Sequence, residues 1–87
     1  MEREQMTQEQ IESTVRAARD SVWVINDEIA KLANNMPWNA ERRGNIERNV
    51  AHLELVMSNT QISGSGLDLS DLTAAIAAGN QELTSRQ

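Results

Sequence analysis

The chain has 87 residues, no Cys, Phe or Tyr, two Trp, and a net charge of −5. This length indicates one domain, and so few aromatic side chains indicate a small core that an oligomer or a bound partner would help to stabilise. The absence of cysteine excludes disulfides, and the negative charge argues against broad binding to nucleic acid or anionic membranes.

The first predicted helix runs from about residue 8 to 34. Its apolar residues recur in steps of four and three, a heptad spacing that keeps one stripe of a helix against a partner helix. The stripe consists of Ile11, Val15, Ala18, Val22, Ile25, Ile29, Leu32 and Met36. Thr7 and Gln10 form a capping-box pattern at its start, and Pro37 ends it because proline disfavours helical backbone in the preceding residue.

A second helix is predicted from about residue 40 to 58, with Asn39 as its cap. Its apolar seam repeats the same spacing and consists of Ile46, Val50, Leu53 and Met57. The short connection to the first helix predicts an antiparallel hairpin. Because the second helix is about 12 Å shorter than the first, Ile11 and Val15 have no evident partner within that hairpin.

Residues 59–66 contain Ser-Gly-Ser-Gly and are predicted to be a flexible loop. A short third helix follows from about residue 69 to 78, with Asp68 as its cap. Gly79 and Asn80 are typical of a helix end, so residues 80–87 are predicted to be a polar tail. The expected fold is all-α: an antiparallel helical hairpin with a short third helix, in a single domain over residues 1–87.

The sequence predicts no catalytic, cofactor or metal site, and we expect a protein that is not an enzyme. His52 is the only histidine, and catalysis there would require a nucleophile or carboxylate brought to it by the fold. Asp68 to Asp71 lacks the following Gly and the distal Glu of a calcium loop. Ser63 to Gly66 lacks the Gly-Lys-Ser/Thr of a phosphate loop.

Five apolar residues form the predicted partner interface. Trp23 and Val24 lie beside the heptad stripe and make one turn of the first helix apolar on nearly all sides. A helix that is apolar all round must be covered all round, either by the third helix or by another chain. The same two interpretations apply to Trp38 at the hairpin tip. Ile11 and Val15 complete the set because the hairpin leaves them uncovered.

Arg42, Arg43 and Arg48 form a local positive patch at the start of the second helix and are candidates for polar contacts. Such a patch can contact phosphates. Asp27 and Glu28 near the end of the first helix supply opposite charge, however, so we expect ion pairs instead of nucleic-acid contacts.

Two segments resemble a known class of protein. Residues 42–57 contain Asn-Val-Ala-His-Leu-Glu, and residues 68–79 form a short Ala-rich stretch that ends in Gly. Together, over residues 42–79, they resemble small helical proteins that tailed bacteriophages encode among their virion structural and assembly genes. The resemblance implies a virion component or assembly accessory that works by protein contact, in the virion or in the host cytoplasm.

Two functions follow as hypotheses. The first is a phage structural or assembly protein that docks its apolar helix faces, as a homo-oligomer or within a larger virion assembly. The alternative is a small acidic regulator that binds a host protein, for example in a basic groove. A decoy for nucleic acid should carry a continuous acidic face, whereas Arg16, Arg19 and Lys31 interrupt the acids here. We expect no membrane partner, because no apolar run approaches the roughly 20 residues of a membrane span. We also expect no signal peptide, because Met1 to Gln5 is polar and no apolar core follows it.

Overall fold

A computed structural model describes residues 5–86, and over this range the chain contains helices and their connections but no strand. The helices are α1 (Gln8–Ala33), α2 (Ala40–Ser58), the one-turn α3 (Thr60–Ser63) and α4 (Ser70–Ser85). The all-α class predicted from the sequence is confirmed for these residues. None of the described helices combines the length and apolar character that crossing a bilayer requires.

Local chemistry sets both ends of α1. The Thr7 side chain accepts a hydrogen bond from the Gln10 backbone N–H, and the Gln10 side chain accepts one from the Thr7 N–H, so the capping box is present. At the other end Asn35 adopts left-handed backbone with a φ of 68°, a conformation that Asn tolerates better than most residues. This turn leaves Met36 exposed, although it was predicted to continue the apolar stripe.

Helix α2 has the predicted bounds, and Asn39 caps it by accepting a hydrogen bond from the Arg42 N–H. Residues 59–66 are predicted to be a loop, but the structure has a helical turn within this segment. Asn59 accepts a hydrogen bond from the Gln61 N–H and starts α3, whose Ile62 is buried in the core. Burial of this one apolar side chain explains why residues 60–63 are ordered as a helical turn.

Helix α4 continues to Ser85, past the predicted end at residue 78. Gly79 lies inside the helix and is buried, and a β-carbon at this position would lie 2.5 Å from Cγ2 of Val50. The glycine therefore permits a close helix contact and does not end the helix. Residues 80–85, predicted as a polar tail, are helical, and Leu83 packs against the core. Tertiary packing overrides the local preference here.

The core lies between α1, α2 and α4, each of which contacts the other two. It is aliphatic and consists mainly of Ile11, Val15, Ala18, Val22, Ile25, Leu32, Ile46, Val50, Leu53, Val56, Ile62, Leu69, Leu72 and Ala75. Ile11 and Val15 are only 7% and 2% exposed. The prediction that they lack cover is wrong, because both side chains are buried in the core, and α3 and α4 contact α1 as well as α2 does.

Polar contacts join α1 to the other helices at three levels. Near its end, Glu28 pairs with Arg42 in the first turn of α2. Just before the start of α1, the Met6 N–H donates a hydrogen bond to the side chain of Gln61 in α3. In between, Arg19 pairs with Asp71 at the start of α4. The end of α1 therefore lies beside the start of α2, and the start of α1 lies beside α3.

Candidate functional site

Trp23 lies on the outer side of α1 and is 67% exposed. At 3.6 residues per turn, the side chains within about 40° of Trp23 around the helix form one strip. We define the Trp23 face as this strip, which consists of Glu9, Glu12, Arg16, Arg19, Trp23, Asp27 and Ala30. Its members other than Asp27, which is half-buried, are exposed. A large indole therefore lies in water on the side of α1 that faces away from a closed core.

Charges of both signs surround the indole. Nε of Arg19 lies 2.9 Å from a carboxylate oxygen of Asp71, and Nη2 of Arg19 donates to the backbone carbonyl of Asp68. Nζ of Lys31, at the edge of the face, lies 3.0 Å from Asp27. The hydrogen bond and the negative charge of Asp27 raise the pKa of Lys31 above its ordinary value. Exposed pairs of this kind add little stability, so these contacts mainly hold the side chains in place.

A shallow depression of about 250 Å³ adjoins the Trp23 face. It is lined by Glu12, Val15, Arg16, Arg19, Leu67 and Asp68. The hydroxyl and the backbone N–H of Ser70 both donate to the Asp68 carboxylate and hold its pKa below the ordinary value. The described residues that line the depression carry charges of both signs, and none of them is a nucleophile beside a base.

The other predicted interface residues do not join Trp23. Ile11 and Val15 are core residues and are not available to a partner. Val24 is half-buried. Trp38 is also half-buried and packs against the core, and the guanidinium carbon of Arg86 lies 5.7 Å from its ring centroid. Trp38 therefore packs against the C-terminal end of α4, in the segment that the sequence predicts to be a polar tail.

The three arginines of the predicted positive patch each contact a different partner. Arg42 is buried: its Nε lies 2.9 Å from Oε2 of Glu28, and it also donates to the carbonyl of Pro37. This pairing agrees with the expectation that acids at the end of α1 supply the opposite charge. Arg43 pairs with Glu47 at 3.5 Å, and Arg48 donates to the side chain of Asn45. The three guanidinium groups therefore do not form one positive surface.

One exposed residue was not singled out from the sequence. Leu55 is 70% exposed on the outer side of α2, with His52 one turn before it and also exposed. Its position off the seam of α2 was the available signal. The seam itself shifts at this end, since Val56 is buried and Met57 is half-buried.

Within residues 5–86, no three His, Cys, Asp or Glu side chains lie close enough together to hold a metal ion. The candidate contact surfaces are the Trp23 face, whose Trp23 the sequence also indicates, and Leu55, which only the structure singles out. Comparisons of the chain with protein-family models, with curated proteins and with solved structures find no significant match.

Proposed function

We propose that this protein is a non-catalytic structural or assembly component of a bacteriophage particle, which acts by docking the Trp23 face of α1 against protein. The observation that carries the proposal is the 67% exposure of Trp23 above a closed core. Trp is enriched at the desolvated centres of protein interfaces. The assignment to a phage particle draws on the resemblance of residues 42–79 to small virion proteins.

We infer that α1 and α2 form an antiparallel hairpin and that α4 is the third helix along it. The Glu28–Arg42 pair at one end and the Met6–Gln61 contact at the other support this arrangement. A β-carbon at Gly79 would lie within 3.5 Å of the side chains of Val50, Ile46 and Ile25, which supports the place of α4 against both helices. Such a bundle presents the outer side of α1 as a rigid surface, so docking requires no unfolding.

The expected energetic contribution of Trp23 is substantial. Removing the exposed part of an indole from water contributes about 2–3 kcal/mol. The Trp23→Ala variant should therefore weaken docking by at least about tenfold. It should leave the fold intact because the side chain supports none of the core.

The test is co-expression of the tagged chain with the proteins encoded by its neighbouring genes, followed by sedimentation of the particles that form. Wild type and Leu55→Ala should sediment with the particles, whereas Trp23→Ala should stay in the slow fractions. Leu55→Ala is the matched control, since it removes an equally exposed apolar side chain from α2. Circular dichroism of each variant checks folding.

Two results would overturn the proposal. One is co-sedimentation of Trp23→Ala as efficient as that of wild type. The other is absence of the chain from every particle together with specific binding to one host protein, which would favour a small acidic regulator.

A further inference from the structure

We propose that the Trp23 face binds the Trp23 face of a second copy of this chain, with the two α1 helices antiparallel and related by a two-fold axis. The inference rests on the proposed function, because it names a partner for the docking surface. Isologous contact of one face with itself is the commonest way in which identical chains associate.

The order of charges along the face favours the antiparallel direction. Along the face Glu9 and Glu12 come first, Arg16 and Arg19 then directly precede Trp23, and Asp27 follows it. Antiparallel helices place the positive part of one face opposite the negative part of the other. A parallel arrangement in the same register would place Arg16 on Arg16 and Asp27 on Asp27, which opposes like charges.

One register satisfies the main charges at once. When Arg16 of one copy lies opposite Asp27 of the other, the two-fold symmetry forms this pair twice. Both residues lie on the same side of Trp23, within about 40° of it around the helix, so they meet across the interface. Glu12 and Lys31 are then level with each other along the helix axis, but they lie on opposite sides of Trp23 and are not part of the pairing.

The same register brings the two indoles together. The rings of Trp23 in the two copies are offset by three residues, about 4.5 Å along the helix axis. Aromatic rings pack favourably with centroids about 4.5–7 Å apart in offset or edge-to-face geometry. Each exposed indole is thereby covered by the other and by the neighbouring helix.

The charges needed for this contact are available. Among residues 5–86, Arg16 has no carboxylate within ion-pair distance, and its side chain is exposed. Asp27 binds Lys31 through Oδ2, and a carboxylate accepts hydrogen bonds at both oxygens. The outer side of α2 offers no such match: Arg48 lies two turns before Leu55, and the residues after Leu55 on that side, Ser58 and Asn59, carry no charge.

The experiment is sedimentation equilibrium of wild type and charge-reversal variants over a range of protein concentrations at low salt. Arg16→Glu should weaken self-association roughly tenfold or more, because it opposes an acid to Asp27 at two places, and Asp27→Arg should do the same with two bases. An equimolar mixture of the two variants should associate as well as wild type, since each chain then supplies what the other lacks. The Arg16→Glu/Asp27→Arg double variant should also recover.

The control is Arg48→Glu, which changes the charge equally on the outer side of α2 and should leave association unchanged. Wild-type association should weaken as salt is added, because exposed charges are screened. Circular dichroism melting confirms that every variant folds.

The inference is overturned if wild type stays monomeric at all concentrations, or if both single variants associate like wild type. These outcomes remain distinct from the fate of the proposed function. A monomer that still enters particles in a Trp23-dependent way keeps the assembly role and removes the dimer. A dimer that enters no particle supports the self-association and removes the assembly role.

Discussion

Glu28 and Arg42 form a buried ion pair, with Nε of Arg42 2.9 Å from Oε2 of Glu28, where α1 ends and α2 begins. Arg42 also donates to the carbonyl of Pro37, so one guanidinium joins both helices and the connection between them. Removing water from two charges is unfavourable, and the pair persists because each charge compensates the other. The pair therefore stabilises the connection between α1 and α2.

Loss of one partner of this pair should be severe. Arg42→Ala leaves the buried Glu28 carboxylate with only the more distant Lys31, whose Nζ lies 3.6 Å from Oε1 of Glu28, and we expect a loss of about 3 kcal/mol in the free energy of unfolding. Urea denaturation monitored by circular dichroism measures this free energy of unfolding. Arg43→Ala, which breaks only the exposed pair with Glu47, should change the same quantity by less than about 1 kcal/mol. Equal losses of stability in the two variants would contradict the stabilising role of the Glu28–Arg42 pair.

Gly79→Ala should destabilise the protein although alanine favours helix. A β-carbon at position 79 would lie 2.5 Å from Cγ2 of Val50, so α4 must shift away from α2, at a cost of about 1–3 kcal/mol. Gly44→Ala is the contrast. There the new carbon meets only the flexible side chain of Arg48 at 3.1 Å, and we expect a gain of about 0.5–1 kcal/mol.

Thermal melting of these two glycine variants checks their opposite signs. In a Val50→Ala background, Gly79→Ala should cost less than it does in the wild type, because the methyl group that clashes is then absent. A rise in melting temperature for Gly79→Ala alone would show that α4 does not pack this closely.

Val15→Asp should unfold the N-terminal half of the bundle. Val15 is 2% exposed, and a carboxylate there would be buried without a partner, which costs several kcal/mol (about 3 or more). Ser13→Asp, two residues away and exposed, should leave stability almost unchanged. Hydrogen exchange of the α1 amides measures the local loss, and strong protection retained in Val15→Asp would contradict the core position of Val15.

The carboxyl group of Asp68 should titrate below its ordinary value of 3.8, because the Ser70 hydroxyl and N–H donate to the charged form. A pKa lower in the folded than in the unfolded chain gives stability that is present above the unfolded pKa and lost as the pH falls through the folded pKa. Ser70→Ala should therefore raise the pKa of Asp68 towards 3.8. Carbon-detected NMR titration measures it, and an unchanged pKa in Ser70→Ala would refute the assigned cause.

Features that depend on a few neighbouring residues follow from the sequence alone. The heptad stripe, the Thr7–Gln10 capping box, the Asn39 cap and the stop before Pro37 locate α1 and α2 to within a residue. Each of these signals acts over one helical turn, so it does not depend on how distant parts of the chain are arranged.

Other features were decided only by tertiary structure. The local sequence predicts a helix end at Gly79, because nothing near it in sequence reveals the closeness of Val50, about thirty residues away. Ile11 and Val15 were expected to need a partner because α2 is short, whereas α3 and α4 come back to contact α1. Trp23 and Trp38 looked alike in sequence, yet the end of α4 reaches Trp38 and leaves Trp23 in water. Burial depends on contacts between residues far apart in the chain, and it was burial that separated the core from the candidate docking face.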